Sequence, residues 1–198
     1  MESLCPTRAT FALLDRYRSA DADTIRRGRE WYRAARRAVN EIARETGYSR
    51  AQVAAVLAIT SPDAQLVSNI DWTRKACLNG GRTAGRYPSD QLPKIRAALV
   101  SNRPGQYVKG PKVNAFYRAI MGHEDVLVVD RWASFAAGGP KDRPPAAKAR
   151  RVITEAYHRA AEIAGETVRD FQAIVWIQAR ENTARADGRF VRLQDITA

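Results

Sequence analysis

The chain has 198 residues, 45% of them hydrophobic and 27% charged, with a formal net charge of +12 at pH 7 and a pI near 10.3. That length provides for one substantial core or two small lobes, and no apolar run approaches the roughly 20 residues of a transmembrane helix. The two cysteines, Cys5 and Cys77, stand in no metal-ligand spacing, so a zinc ribbon or a four-cysteine cluster within this chain is excluded. We expect no metal and no cofactor.

The charge indicates a polyanionic partner, and nucleic acid is the commonest one for a compact basic domain. A GC-rich genome accounts for arginine over lysine, but not for the net charge. The N-terminus lacks the basic-then-apolar order of a secretory signal. We therefore expect a cytoplasmic, nucleoid-associated protein that has no membrane contact, no evident protein partner and a monomeric state.

The first predicted element is a long amphipathic helix over residues 21–46. Asp21 or Asp23 can cap its start, and Gly47 can end it. Its apolar face is formed by Ile25, Gly28, Tyr32, Ala35, Val39 and Ile42. The arginines on the adjacent face fit a solvated surface as well as a phosphate-binding one.

Further helices are predicted along the rest of the chain. The second, over 49–61, is capped by Ser49 and apolar nearly all round, which is typical of a buried central helix. The others cover 62–81, 90–101, 111–121, 130–138, 146–165 and 167–186, and an irregular tail follows from Asp187. The best strand candidate is the four-residue "VLVV" at 126–129. The pattern predicts an all-α protein that forms a single domain over residues 1–198.

The segment from about 103 to 135 carries the most chemistry. Gly105 and Gly110 punctuate a turn whose backbone N–H groups, with the following helix N-terminus, can hold a DNA phosphate. Lys112 lies in the first turn of the next helix, an unfavourable place for a cation, and Asp130 starts the helix after that. Asp130 has an ordinary interpretation as a helix cap. Lys112 has one as a surface residue.

This segment resembles the helix-hairpin-helix (HhH-GPD) DNA glycosylase superfamily, the group that includes endonuclease III. "GPK" at 110–112 is similar to the Gly-x-Lys that opens the family's lysine-bearing helix. "VLVVDRWASF" at 126–135 is similar to the family's apolar run that ends in a catalytic aspartate. The separation of Lys112 and Asp130 matches the lysine-to-aspartate spacing of the bifunctional members.

A second segment, "LAITSPDAQLVSNIDWTRKA" at 57–76, resembles the family's early Leu-Ser-x-Gln and Asn pattern. Thr60 or Ser61 matches the serine, and Asn69 matches the asparagine. The chain departs from the family where Pro62 stands in place of a glutamine that fills the gap left by an extruded base. Asp63 or Gln65 is a candidate for filling that gap, and the sequence does not distinguish between them.

The hairpin departs from the family as well. Val108 occupies the position of the first hairpin glycine, and Pro111 removes one N–H donor from the turn. Arg131 and Trp132 replace the Thr-His that follows the family's aspartate. The C-terminal iron–sulfur loop of some relatives is absent.

The resemblance implies a two-lobed helical fold and a base-flipping enzyme of double-stranded DNA, with the hairpin and catalytic segment at about 103–135. It implies Asp130 and Lys112 as catalytic residues, and Trp132 and Tyr117 as base-pocket residues. The implied DNA-binding residues are Gly105, Lys109, Gly110, Gln65, Asn69 and Arg131. Trp132 and Tyr117 are also typical of core packing.

The expected reaction is excision of a damaged, mismatched or modified base, with abasic-site lyase activity if Lys112 is a nucleophile. Two alternatives stay open, because fold does not fix function. One is a phage-type transferase that modifies a thymine derivative in DNA. The other is a DNA-binding relative without catalysis. The sequence does not name the base.

Overall fold

A computed structural model describes residues 4–62, 64–82, 91–142 and 144–186 of the protein. These residues form nine α-helices and one 3-10 turn, Pro104–Tyr107, and contain no strand. The helices are α1 Pro6–Arg18, α2 Ala22–Thr46, α3 Arg50–Ile59, α4 Leu66–Leu78, α5 Leu92–Val100, α6 Pro111–Met121, α7 Arg131–Ala136, α8 Ala147–Ala164 and α9 Val168–Ala186. The all-α prediction is confirmed for this part of the chain.

The chain divides into two compact units. Unit 1 consists of residues 1–32 and 124–198, and unit 2 of residues 33–123, so the boundary falls within α2. The prediction of a single domain concerns cooperative folding and stays a prediction.

Unit 1 is built from α1, the first part of α2, and α7, α8 and α9. Its core lies where α1, α7 and α9 pack against α8 and one another, with Leu13, Tyr157 and Phe171 fully buried. Gly28 of α2 lies against α9, where a Cβ would come within 2.6 Å of the Ile174 Cα atom. The predicted helix face through Gly28 and Tyr32 is thus buried, and the glycine is required by the close approach.

Unit 2 is organised around α3, which packs against α4, α5, α6 and the 3-10 turn. Ser49 and Gln52 form a reciprocal capping box at its start, and Val53 to Ile59 are all buried. The prediction of a capped, buried central helix is confirmed. Of the two predicted caps of α2, Asp21 and Asp23, the structure shows Asp21 in this role: its Oδ1 atom accepts from the Thr24 N–H at 2.7 Å.

Several predicted elements need correction. The helix predicted from residue 62 begins at Leu66, with Gln65 as its N-cap, because the chain turns at 61–62 after α3. The helix α1 was not predicted, and the strand candidate 126–129 is irregular backbone. Asp63, the first residue of the predicted helix 90–101 and the tail from Asp187 lie outside the described residues. None of the described helices combines the length and apolar character needed to cross a membrane.

Candidate active site

The segment Val126–Asp130 is held in place by side chains instead of by a neighbouring strand. Gln172 of α9 accepts from the Val128 N–H at 2.9 Å and donates to the Val128 carbonyl oxygen. Arg150 of α8 donates to the Val129 carbonyl at 3.3 Å. These bonds satisfy a buried stretch of backbone that would otherwise require a strand partner. They explain how an isolated apolar run keeps a fixed path that ends at Asp130.

Asp130 caps α7. Its Oδ1 atom accepts from the Ala133 N–H at 2.8 Å, which confirms the ordinary interpretation of an aspartate at a helix start. The side chain is half-buried, and among the described residues no cation forms an ion pair with it. One carboxylate oxygen is therefore fixed by the helix, while the other has no partner in this part of the chain.

The charge of Asp130 acts on two buried tyrosines of unit 1, Tyr157 and Tyr32. Burial raises the pKa of Tyr157 and of Tyr32, and in both cases the negative charge of Asp130 raises it further. Tyr157 also donates from its hydroxyl to the Ala133 carbonyl at 3.3 Å. Both phenols therefore stay neutral at physiological pH.

Trp132, a predicted base-pocket residue, is half-buried and lies near two cations. The Lys141 Nζ atom is 5.4 Å and the Arg180 Cζ atom 5.5 Å from its ring centroid. Phe135 meets the ring edge-on at 5.9 Å. Its role in stacking on a base stays a prediction, as does DNA binding by Arg131, which is exposed.

The predicted hairpin lies in unit 2. Gly110, at the N-cap of α6, has φ +88° and ψ 145°, which favours glycine, and no side chain caps the helix. Pro111 occupies the first helical position and Lys112 follows, half-buried, as predicted for the first turn. The first-turn N–H groups of a helix have no intrahelical acceptor, so this end can hold an anion. Lys109, next to it, is exposed.

Gly105 and Tyr117 belong to one packing contact. A Cβ at Gly105 would lie 3.0 Å from the Tyr117 Cε1 atom, so the glycine lets the tyrosine ring close against the 3-10 turn. Tyr117 is half-buried, and burial raises its pKa. The contact gives Tyr117 a packing role in the hairpin, and its role in a base pocket stays a prediction.

The residues of the second resembling segment occupy different environments. Asn69 is buried, donates from Nδ2 to the Leu57 carbonyl at 2.9 Å, and leaves its Oδ1 atom without a described partner. Gln65 is exposed at the start of α4. DNA contacts by both residues stay predictions. Lys112 belongs to unit 2 and Asp130 to unit 1, so their cooperation also stays a prediction.

Three residues on α8 and α9 were not predicted from the sequence. Gln172 and Arg150 hold the segment that leads to Asp130, and the charge of Asp130 acts on Arg180. A glutamine and an arginine inside the largely apolar helix "VRDFQAIVWIQAR" were the available signal, since polar groups on a buried helix need partners.

No group of three His, Cys, Asp or Glu side chains among the described residues could hold a metal ion. Neither the curated proteins nor the solved structures gave a significant match to the chain. A family model does match residues 2–183, nearly the whole chain. The protein therefore belongs to the family described as Family of unknown function (DUF7178).

Proposed function

We propose that the protein is a DNA glycosylase of the helix-hairpin-helix type. One observation carries the proposal: Asp130 is fixed by capping α7, and its second oxygen has no partner among the described residues. This carboxylate is half-buried, and the phenol of Tyr157, on which its charge acts, is neutral. Such a group is suited to meeting positive charge that develops in a substrate.

The chemistry follows from where charge forms. Breaking the N-glycosidic bond leaves positive charge on the deoxyribose ring, as glycoside hydrolysis does. The base departs with the electron pair of the bond and takes up a proton. Asp130 stabilises the sugar cation and accepts a proton from the attacking water. The nucleotide must first be extruded from the duplex, at a cost of a few kcal/mol.

The rest of the molecule supports a DNA substrate. The net charge of +12 favours a polyanion, and the uncapped N-terminus of α6 at Gly110 is suited to a backbone phosphate. The division into two compact units is compatible with the two-lobed fold of these glycosylases. We assign the hairpin to phosphate contacts, which hold DNA without reading its sequence.

Lys112 is assigned the lyase step. At an abasic site its Nζ amine condenses with the C1′ aldehyde, water leaves, and a Schiff base forms. The protonated imine acidifies the C2′–H bond, so that C2′ loses a proton to water, the C3′–O bond breaks, and the 3′-phosphate leaves with the electron pair of that bond. Borohydride reduces the imine to a stable amine and so traps the protein on the DNA.

Asp130→Asn tests the glycosylase proposal. Asparagine caps a helix as well as aspartate, so we expect the free energy of unfolding to change by less than about 0.5 kcal/mol. Because the negative charge is lost, excision from a panel of duplexes that each carry one modified base or mismatch should fall at least about 100-fold. Release of the base is measured as alkali-labile strand breaks, and DNA affinity should be retained.

Asp21→Asn is the matched control, since Asp21 caps α2 in the same unit through the same kind of bond. It should leave excision unchanged. No excision of any base by wild-type protein, with intact DNA binding, would favour the transferase or the non-catalytic relative. Excision that Asp130→Asn leaves unaltered would refute the assigned role of Asp130.

A second experiment tests Lys112 without needing the base. A duplex with one abasic site is mixed with the protein and borohydride, and a covalent adduct is sought on a denaturing gel. The adduct should form with wild type and be lost in Lys112→Ala. Lys75→Ala is the control, because Lys75 is an exposed lysine of the same unit, paired with Asp71. An adduct that Lys112→Ala retains would leave a one-step glycosylase that relies on Asp130.

A further inference from the structure

Arg180 of α9 is a half-buried cation without a hydrogen-bond acceptor among the described residues. Its guanidinium carbon lies 4.6 Å from the Trp176 ring centroid and 5.5 Å from that of Trp132. Aromatic rings attract the charge, but they do not satisfy the five N–H donors. Burial lowers the pKa of Arg180, because a charge is less stable out of water.

The buried arginines of the same unit provide an internal comparison. Arg27 donates to Glu181 at 2.7 Å and to Asp23 at 2.8 Å. Arg169 donates to Asp170 at 3.2 Å and to Glu124 at 3.1 Å. Both follow the rule that a buried charge is paired with an opposite one. Arg180, which is half-buried, has no acidic partner within the described residues, so its N–H donors are open to an anion from outside this part of the chain.

The position of Arg180 indicates where that anion would bind. Trp132, one of its two aromatic contacts, follows Asp130 by two residues on α7. The charges of Asp130 and Arg131 also act on the Arg180 guanidinium. A carboxylate that approaches a polyanionic backbone is repelled by it, and a cation next to the carboxylate offsets the repulsion. A phosphate bound there would give Arg180 the anionic partner that it lacks among the described residues.

We propose that Arg180 binds a phosphodiester of the DNA strand adjacent to the nucleotide whose sugar cation Asp130 stabilises. The guanidinium is held by Trp132 and Trp176, and its N–H donors form a forked contact with the phosphate oxygens, the geometry for which arginine is better suited than lysine. This inference rests on the proposed function and deepens it, since it assigns a strand-positioning residue to the same site.

The test combines loss of the arginine with loss of a single phosphate charge. The probe is a duplex with one tetrahydrofuran abasic-site analogue, in which each flanking phosphate in turn is replaced by a neutral methylphosphonate. Arg180→Gln should weaken binding of the unmodified probe about tenfold, the loss of one charge-assisted contact. At one phosphate position the methylphosphonate should weaken wild-type binding by a similar factor and leave Arg180→Gln unaffected, because both changes remove the same contact.

Two further variants keep the result interpretable. Arg16→Gln is the matched control, since Arg16 also lies over an aromatic ring of α7, Phe135, but donates to the Ala136 carbonyl at 3.1 Å. The losses of binding free energy caused by Arg16→Gln and by each methylphosphonate should be additive at every phosphate position. Arg180→Lys keeps the positive charge but cannot form the forked contact, so it should bind the probe with intermediate affinity. The methylphosphonate at the same phosphate should weaken its binding less than it weakens wild-type binding. Arg180→Lys also tests the contact if Arg180→Gln proves unstable by circular dichroism.

The outcomes separate this inference from the proposed function. Wild-type protein that binds the probe no better than an undamaged duplex overturns the proposed function and this inference with it. If wild-type protein prefers the probe but Arg180→Gln leaves its affinity unchanged, the inference alone is overturned. The same holds if the effects of Arg180→Gln and of each methylphosphonate are additive at every phosphate. Coupling at one phosphate supports both.

Discussion

At the scale of single residues, Gln172 is the side chain on which the position of Asp130 most depends. Its amide bonds both polar groups of the Val128 peptide, and both residues are buried. Gln172→Met keeps the volume but leaves a buried N–H and a buried carbonyl unpaired, so we expect a loss of about 3 kcal/mol in the free energy of unfolding. Urea unfolding gives this value. Excision should fall as well, since the segment ahead of Asp130 loosens.

Gln178→Met provides the comparison on the same helix. Gln178 is also buried, and it donates to the Ser19 carbonyl at 3.0 Å at the end of α1. Its loss should cost about 1 kcal/mol, because one acceptor near the surface can turn to water. Excision should not change. Equal effects of the two substitutions would mean that Gln172 stabilises unit 1 without positioning the site.

At the scale of elements, α6 has a glycine at each end with a different expected role. Gly110 at the N-cap has φ +88°, and Gly122 at the C-cap has φ +111°. Alanine at either position is strained by about 1–3 kcal/mol, and neither Cβ would clash with the structure. Gly110→Ala should also weaken binding of undamaged duplex, because the helix end that we assign to a phosphate changes its path. Gly122→Ala should lower the melting temperature but leave DNA affinity unaltered, and a reversed result would exclude the hairpin assignment.

Local signals in the sequence predicted most of the helices, although α1 was missed. Periodicity and caps place α2 and α3, because Asp21 and Ser49 act within their own turns. The segment 126–129 was misread, since its partner is Gln172, 44 residues away, and no local pattern records such a pairing. Lys112 and Asp130 stand out by their positions at two helix starts, but catalytic roles for them come from the family resemblance. The surroundings of Asp130 come from α2, α8 and α9, which pack in ways that spacing along the chain does not specify.

At the scale of the whole molecule, buried acids in both units predict a loss of stability at alkaline pH. Burial raises the pKa of the Cys77 thiol, in unit 2, from 9.0 to about 12, and it raises the pKa of Tyr157, in unit 1, above 10.0. A folded-state pKa above the unfolded value gives stabilisation that is complete below the unfolded pKa. The stabilisation is lost as pH rises towards the folded pKa, hence from about pH 9 upward for the thiol. By pH 11 the thiol alone should cost about 2–3 kcal/mol.

The same titration tests whether the two units form one cooperative domain, as the sequence predicts. Trp72 is the tryptophan of unit 2, while Trp31, Trp132 and Trp176 belong to unit 1. In a Trp72→Phe background, fluorescence during urea unfolding therefore follows unit 1 alone. Adding Cys77→Ala removes the titrating thiol from unit 2. If the chain unfolds as one domain, the urea concentration at the midpoint of the fluorescence change should fall less between pH 9 and pH 11 once Cys77 is replaced. If replacing Cys77 leaves the pH dependence of the fluorescence midpoint unchanged but alters that of the circular-dichroism midpoint, the two units unfold separately.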